Sequence, residues 1–347
     1  MKKVLILYRE LAGYVVACIN HLHLEYGVHV DVVAYPLNRD APFQFQFSGS
    51  IKHENRQDFD AISLTKKIEL GQYDLILVSG WADNDYLRAL SASKTAVKVV
   101  GFDTWWNATP KQFLAALYAR LFITPKFDYA FVPGPEQVEL ALRFGFKKNQ
   151  ILKGVYACDV PQFSEIALSR SGQRENAIKK LLYVGRYADE KFITQLCGCM
   201  IELHEEGFTN WRLVCIGTGP LFETRLQHPC IVHQGFQQPS QLATMMLEGD
   251  VFVLPSTFEP WGVVVHEFAA AGYPLILSDH VGARHAFLRD MENGFLFKSG
   301  SREELKSAMK RMMLTPQNIL VEMGAISSNL AKKITPDTWA KTLIQLM

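Results

Sequence analysis

The chain has 347 residues, 48% of them apolar and 20% charged, with 36 basic against 35 acidic side chains and a formal charge of +1. This composition excludes a disordered chain, because there is enough apolar surface to offset the entropy of ordering. It provides no overall positive field for nucleic acid, and the length predicts about two domains.

After Met1-Lys2-Lys3, an apolar run from Val4 to Tyr8 is interrupted by Arg9 and Glu10, too early for a secretory signal. It predicts a buried first strand. Further β-branched runs follow at residues 28–34, 75–79, 97–101 and 129–132. A second series lies at 180–184, 212–216, 231–233, 251–255, 275–278 and 295–297. Helical periodicity occupies 112–122, 137–144, 191–206 and 302–314 between them, and 336–347 reads as an amphipathic helix. Continuous apolar strands alternating with helices predict an α/β protein with buried parallel sheets. The polar stretch 162–177 marks a boundary between an N-terminal domain over 1–165 and a second over 170–325, with a last segment, 330–347, beyond it.

The longest apolar stretch, 262–278, is broken by His266 and Glu267, so no spanning helix is expected. Cys18, Cys158, Cys197, Cys199, Cys215 and Cys230 form no C-x-x-C pair. They read as buried reduced thiols of a cytoplasmic protein. The helix from Lys111 to Lys126, apolar between basic ends, suits either packing on the N-terminal sheet or peripheral contact with the inner membrane face.

The richest segment runs from Leu254 to Pro274, where a strand ends, a loop carries Glu259, and a helix starts near Gly262. Free amides of Gly262, Val263 and Val264 at a helix start form an anion site, and Gly262 permits close approach. Glu267, in the first turns of that helix, is placed to accept hydrogen bonds from sugar hydroxyls; packing of a small-residue helix with Glu267 on the surface is the alternative. Arg186 offers a bidentate fork and Lys191 a compact ammonium, the two usual means of holding phosphate, although either taken alone could be an ordinary surface charge. Gly217-Thr218-Gly219 lacks the third glycine of a dinucleotide fingerprint, so no nicotinamide cofactor is expected. The chain has no P-loop, nucleophile elbow, H-E-x-x-H or convincing D-x-D, and no histidines at metal-ligand spacing.

Glu259 and Glu267, with seven residues between them, resemble the E-x7-E signature of retaining GT-B glycosyltransferases of family four. Gly185-Arg186 with Lys191 resembles the family's G-R-x4-K, Gly217 to Leu221 its G-x-G-P-L, Gly235-Phe236 its G-F/Y element, and Asn293-Gly294-Phe295-Leu296 its N-G-x-L. The first half is fainter. Gly13 stands where the family commonly has a Gly-Gly loop, Asp103 near the place of a histidine facing the reacting sugar, and Gly154 to Phe163 resembles the entry to the interdomain linker. Asp103 could equally be a helix N-cap.

The resemblance implies two Rossmann-like domains facing an interdomain cleft, an acceptor-side domain followed by a nucleotide-sugar domain, with the helix of 330–347 able to cross back to the first. It implies retaining transfer of a hexose-type unit from a nucleotide diphosphate sugar to a glycan or lipid-linked glycan acceptor, in cell-surface polysaccharide biosynthesis, with no metal and no further cofactor. Arg186 and Lys191 would stabilise the departing diphosphate with the amides around Gly262 to Val264. Glu259 would bind donor-sugar hydroxyls, Glu267 the ribose, and Phe236, Gly185 and Gly217 would border the nucleotide. Trp105 and Trp106 would either stack on an acceptor sugar or pack in the core. A sugar-nucleotide epimerase, a phosphorolysing enzyme and a non-catalytic nucleotide-sugar-binding subunit are the rival readings.

Overall fold

Every apolar run of the first series forms a strand of one parallel sheet, and every run of the second series a strand of another. The computed structural model describes residues 1–36, 44, 46–170 and 178–347. The chain divides into two units: unit 1 comprises residues 1–158 and 334–347, unit 2 residues 159–333.

In unit 1 the strands are β1 (Lys3–Tyr8), β2 (His29–Ala34), β3 (Lys52–Asn55), β4 (Leu75–Ser79), β5 (Val97–Gly101), β6 (Tyr129–Val132) and β7 (Ile151–Lys153). They lie in the order β3-β2-β1-β4-β5-β6-β7, every pairing parallel. The two edge strands lie outside the sequence expectation, because β3 reads Lys-His-Glu-Asn and β7 has three residues. An edge strand needs only one paired side and tolerates polar residues.

The connecting helices are α1 (Gly13–Tyr26), α2 (Ala61–Gly71), α3 (Asn84–Ala89), α4 (Pro110–Tyr118) and α5 (Pro135–Arg143). Local chemistry sets their ends: Asp60 and Ser63 form a capping box on α2, while Thr109 caps α4 with Pro110 as its first residue. Alternation along β1 sends Leu5 and Leu7 to one core with Ile76, Val78 and Phe144, and Val4 and Ile6 to the other with Ile19, Leu22 and Val30.

Unit 2 contains α6 (Val160–Arg170), β8 (Lys179–Val184), α7 (Ile193–Glu205), β9 (Trp211–Ile216), β10 (Ile231–Gln234), α8 (Pro239–Met246), β11 (Val251–Leu254), α9 (Val263–Ala270), β12 (Leu275–Ser278), α10 (Arg284–Phe287), β13 (Gly294–Phe297), α11 (Arg302–Leu314) and α12 (Gln317–Ala331). Its sheet order is β10-β9-β8-β11-β12-β13, again wholly parallel. The last helix, α13 (Pro336–Ile344), belongs to unit 1: Trp339, Ala340 and Leu343 are buried in the α1-side core, and the Trp339 indole donates to the Val155 carbonyl at 3.1 Å.

The units divide at residue 158, earlier than the expected 165, because α6 packs on α9 and α12 rather than on the first sheet. Unit 2 also runs past 325, to residue 333, since α12 packs on α9. Residues 171–177 of the expected boundary lie outside the described residues. All six cysteines are buried thiols outside any disulfide. Among the described residues no helix is long and apolar enough to cross a membrane. In each sheet the chain works outward from its first strand and then returns to the opposite side, so the order reverses between β1 and β4 and between β8 and β11. Such reversals open a crevice beyond the carboxyl ends of the strands.

Candidate functional site

In unit 2 the crevice lies between the loop after β8 and the loop after β11. Gly185 and Arg186 follow β8 directly, and Tyr183 donates from its hydroxyl to the Arg186 carbonyl at 2.7 Å. The G-x-G turn after β9 zips onto this loop: the Gly185 amide donates to Ile216, the Tyr187 amide to Thr218 and the Leu221 amide to Tyr187, at 2.9–3.0 Å. Gly217 and Gly219 have φ of 140° and 153°, and a Cβ there would fall 2.1 Å from the Gly185 carbonyl oxygen and 2.6 Å from that of Tyr187. Both glycines are therefore required by the approach of one backbone to another. The Gly217 amide in turn donates to Gln234 at the end of β10, which places Gly235 and Phe236 at the same carboxyl edge.

Behind this layer, the Tyr187 hydroxyl meets His233 Nδ1 at 2.8 Å, and His233 Nε2 meets the Leu226 carbonyl at 2.8 Å. A carbonyl can only accept, so Nε2 carries the proton and Nδ1 accepts from Tyr187. Burial holds the His233 pKa below its ordinary value, which favours this neutral form.

The charged residues meet across the crevice. Lys191 Nζ lies 2.5 Å from Glu259 Oε2, with side-chain exposures of only 13% and 15%. Ser256 donates to the same oxygen at 3.5 Å, and the Thr257 amide donates to the Glu190 carbonyl at 2.8 Å, latching the two loops together. The Glu259 amide and carbonyl bond to His280 and Gly282, as in a short stretch of strand. Arg186 is the exposed cation, paired at 2.6 Å with Glu190. Glu190 and Thr257 are absent from the sequence reading; the i,i+4 spacing of Arg186 and Glu190 was the available signal for the first. Phe192, next to Lys191, has a left-handed backbone at φ 56°, an unusual conformation for a bulky residue immediately beside the paired cation.

Gly262 caps α9 in the left-handed region at φ 88° with no side-chain cap, and a Cβ there would meet Glu259 Cγ at 2.9 Å. The first-turn amides of Val263 and Val264 have no acceptor within the helix, which makes this terminus electropositive. Glu267 lies one turn on, and burial alone pushes its carboxyl up to about 7. His266 faces the other way, buried, stacked 4.2 Å from Phe287 and bonded to the Ala331 carbonyl.

Unit 1 has its own crevice, a cleft of about 460 Å³ at the ends of β1, β4 and β5. Tyr8, Tyr14, Trp81, Asp103 and Tyr156 line it, with Arg9 and Glu10 at the β1 loop. The Tyr8 and Tyr156 hydroxyls bond to each other, and burial with the nearby Asp103 carboxylate raises the pKa of both. The Arg9 amide donates to Ser79 Oγ at 2.7 Å and the Gly80 amide to Gly101, fixing the loops. Asp103 is not a helix cap, since α4 starts seven residues later behind Thr109; its carbonyl accepts from Gln137 Nε2 at 2.8 Å.

Gly13 is the first residue of α1, between the lining residues Ala12 and Tyr14. Trp105 and Trp106 stand off the cleft wall. Trp105 is buried, and Trp106 packs edge-on against Phe113 at 4.8 Å beneath Arg143. Trp81, unmarked in the sequence, supplies the aromatic wall instead. Among the described residues no group of three or more His, Cys, Asp or Glu side chains is arranged to hold a metal.

Two doubly wound parallel units, the second gathering cations, a carboxylate and a bare helix start at its switch point, define a protein of the GT-B fold. Residues 167–325, nearly all of unit 2, match the family model of the glycosyl transferases group 1. An uncharacterized glycosyltransferase of Methanocaldococcus jannaschii is 32% identical over 124 residues, 33% of this chain and 31% of that protein. The GtfA subunit of a UDP-N-acetylglucosamine–peptide N-acetylglucosaminyltransferase of Streptococcus pneumoniae is 25% identical over 243 residues, 64% of this chain and 48% of that protein. Each match spans less than half the length of these relatives. Among solved structures, sucrose-phosphate synthase from Thermosynechococcus elongatus superposes with a TM-score of 0.74 at 18% identity, covering 100% of this chain and 98% of that one, a likeness of fold.

Proposed function

We propose that the protein transfers a sugar from a nucleotide diphosphate sugar to a glycan or lipid-linked glycan, with retention of configuration and without a metal. The observation that carries this reading is the meeting of Lys191, Glu259, Arg186 and the start of α9 at the switch point of unit 2. Breaking the bond to the anomeric carbon leaves negative charge on the diphosphate, which fixed cations and backbone amides stabilise more than they stabilise the donor. Lys191 is suited to the distal phosphate, because Glu259 and Ser256 hold its ammonium in place. Arg186, exposed and tethered by Glu190, can turn its fork onto the other phosphate.

Glu259 then presents its remaining carboxylate oxygen to donor-sugar hydroxyls, Glu267 takes the ribose hydroxyls and Phe236 borders the base. Retention is accounted for by front-face attack, with the leaving phosphate accepting the acceptor's proton. The unit-1 cleft, rich in hydroxyls and aromatic edges, suits a carbohydrate acceptor, with Asp103 orienting its attacking hydroxyl. The setting we infer is assembly of cell-surface polysaccharide in the cytoplasm, at the inner membrane face.

The test is thermal unfolding with UDP, GDP, ADP and their sugar conjugates, first without metal and then with magnesium. A ligand at a hundred times its Kd adds about 2.7 kcal/mol. Stabilisation by one diphosphate series without metal, followed by turnover only when acceptor is added, supports the proposal. Donor conversion without acceptor would make the protein an epimerase, and binding with no turnover against a glycan library would make it a binding subunit.

A further inference from the structure

Helix α4 and the π-helical turn Ala119–Ile123 that continues it are built inside out. Ala116, Ala119 and Ile123 face the core of unit 1, so two of the three inward positions are alanines where a packed helix ordinarily places large side chains. Phe113, Leu114, Leu117, Tyr118, Leu121 and Phe122 point outward, each 53–73% exposed. They recur at i, i+1, i+4, i+5, i+8 and i+9, so they form one continuous stripe, with Tyr118 and Phe122 in contact at 5.0 Å. Scattered exposed apolar residues need no explanation, but a contiguous stripe of six marks a surface meant to be covered.

The charge around the stripe indicates what covers it. From Thr104 to Phe127 there is no Asp or Glu, while Lys111, Arg120 and Lys126 are all present and exposed. The stem of Arg120 packs against Gly145, and Thr124 Oγ1 donates to the Phe144 carbonyl at 2.8 Å, which brings the exposed Lys147 and Lys148 to the same end. A second copy would bring the same cations against each other across a two-fold axis. An anionic lipid surface complements them and receives the apolar side chains.

From this geometry we infer that α4 is a membrane-docking helix: its apolar stripe enters the interface of an anionic bilayer while Lys111, Arg120, Lys126, Lys147 and Lys148 meet the headgroups. The loop leading into α4 starts at the unit-1 cleft. Asp103 and Thr104 line that cleft, and Gln112 holds the loop by bonds to the Trp105 carbonyl and the Asn107 amide. Docking therefore brings the mouth of the cleft to the membrane surface, where a lipid-linked acceptor would be met. That consequence rests on the transfer proposed above; the docking itself does not.

The experiment is co-sedimentation of the full chain with vesicles of phosphatidylcholine alone and of equal parts phosphatidylcholine and phosphatidylglycerol. Wild type binds the anionic vesicles only, and less at high salt. Leu117→Glu/Leu121→Glu lowers the partition coefficient by about a hundredfold or more, and Lys111→Gln/Lys126→Gln by about fivefold per charge. Both alter exposed positions, and unchanged nucleotide-induced thermal shifts verify that the variants are folded. Binding that both variants leave intact, or none to either vesicle, would overturn the inference. So would a dimer in sedimentation velocity that Leu117→Glu/Leu121→Glu dissolves while vesicles stay unbound. Vesicle binding without any nucleotide response would remove the transfer reading and leave the docking surface standing; the reverse would remove the docking alone.

Discussion

Unit 1 and unit 2 place their strands in the same way around a switch point, yet the two crevices differ in what holds their walls. In unit 2 the walls are backbone pressed on backbone: Gly217 and Gly219 close onto Gly185 and Tyr187 with no space for a methyl group, and Lys191 bridges to Glu259. In unit 1 the wall is made of side chains, the Tyr8–Tyr156 pair, Trp81 and Asp103, around an open cleft, and Gly80 at its rim has no atom within 4 Å of an added Cβ. Sites that bind a constant, highly charged group need fixed donors, whereas a site for a neutral, variable group can be built from rotatable side chains. On the transfer proposed above, the unit-2 crevice would take the charged diphosphate and the unit-1 cleft the neutral sugar, and the two walls are built accordingly.

The comparison breaks first, and most widely, at Lys191. Replacing Lys191 with Ala removes one charge-stabilising donor and lowers kcat by about a hundredfold or more. It also leaves Glu259 mostly buried and unpaired, at a cost of up to about 3 kcal/mol in denaturant unfolding. Lys191→Met/Glu259→Gln restores much of that stability and none of the activity, which separates chemistry from folding. Normal turnover in the Lys191→Ala protein would refute the leaving-group role.

The glycines sharpen the contrast between the units. Gly219→Ala in unit 2 forces a Cβ into the Tyr187 backbone and is expected to cost about 3 kcal/mol, with weakened nucleotide binding. Gly80→Ala in unit 1, at φ 73° with open space around it, costs only the left-handed strain of about 1 kcal/mol. Equal losses would mean that the backbone contact in unit 2 is relieved by small shifts.

Glu267 provides a pH test. Its carboxyl sits at about 7 in the folded chain, against an ordinary 4.5. Between those values the folded protein keeps a proton that the unfolded chain has released, so this group's contribution to stability is lost as pH rises from 4.5 to about 7. Glu267→Gln removes that fall and changes the difference in unfolding free energy across the window by about 1–3 kcal/mol. Parallel urea profiles for both proteins would show that the carboxyl titrates normally. The smallest effect belongs to unit 1: Asp103→Asn leaves the diphosphate Kd unchanged and reduces transfer by about tenfold. A loss of diphosphate affinity instead would remove Asp103 from the acceptor side.

Unit 2 was the more legible half because its chemistry is written in backbone requirements. A helix start after a strand and a glycine permitting close approach are local features, so Gly262 and the carboxylate of Glu259 before it could be singled out along the chain, and the ordered motifs of the resemblance added Gly185 and Gly217. Unit 1 depends on which side chains converge, and there the linear reading left Trp105 and Trp106 open between an acceptor sugar and the core. Trp105 and Trp106 were adjacent, conspicuous and near a strand end, but one turned into the core and the other onto Phe113. Trp81 gave no such signal and stands on the wall.

Apolar periodicity alone was enough to determine the two-sheet α/β architecture, because a strand buried on both faces must be continuously apolar wherever it lies. The helix start at Gly262 was legible too, since a strand end, a glycine and an apolar run answer to the φ, ψ and hydrogen bonds of their own residues. Only the tertiary structure decided the polar edge strand β3, the division at residue 158, the outward stripe of α4 and the pairing of Lys191 with Glu259 across 68 residues. Each of these depends on what a residue meets from a distant part of the chain, and burial and charge pairing are properties of that meeting rather than of the residue.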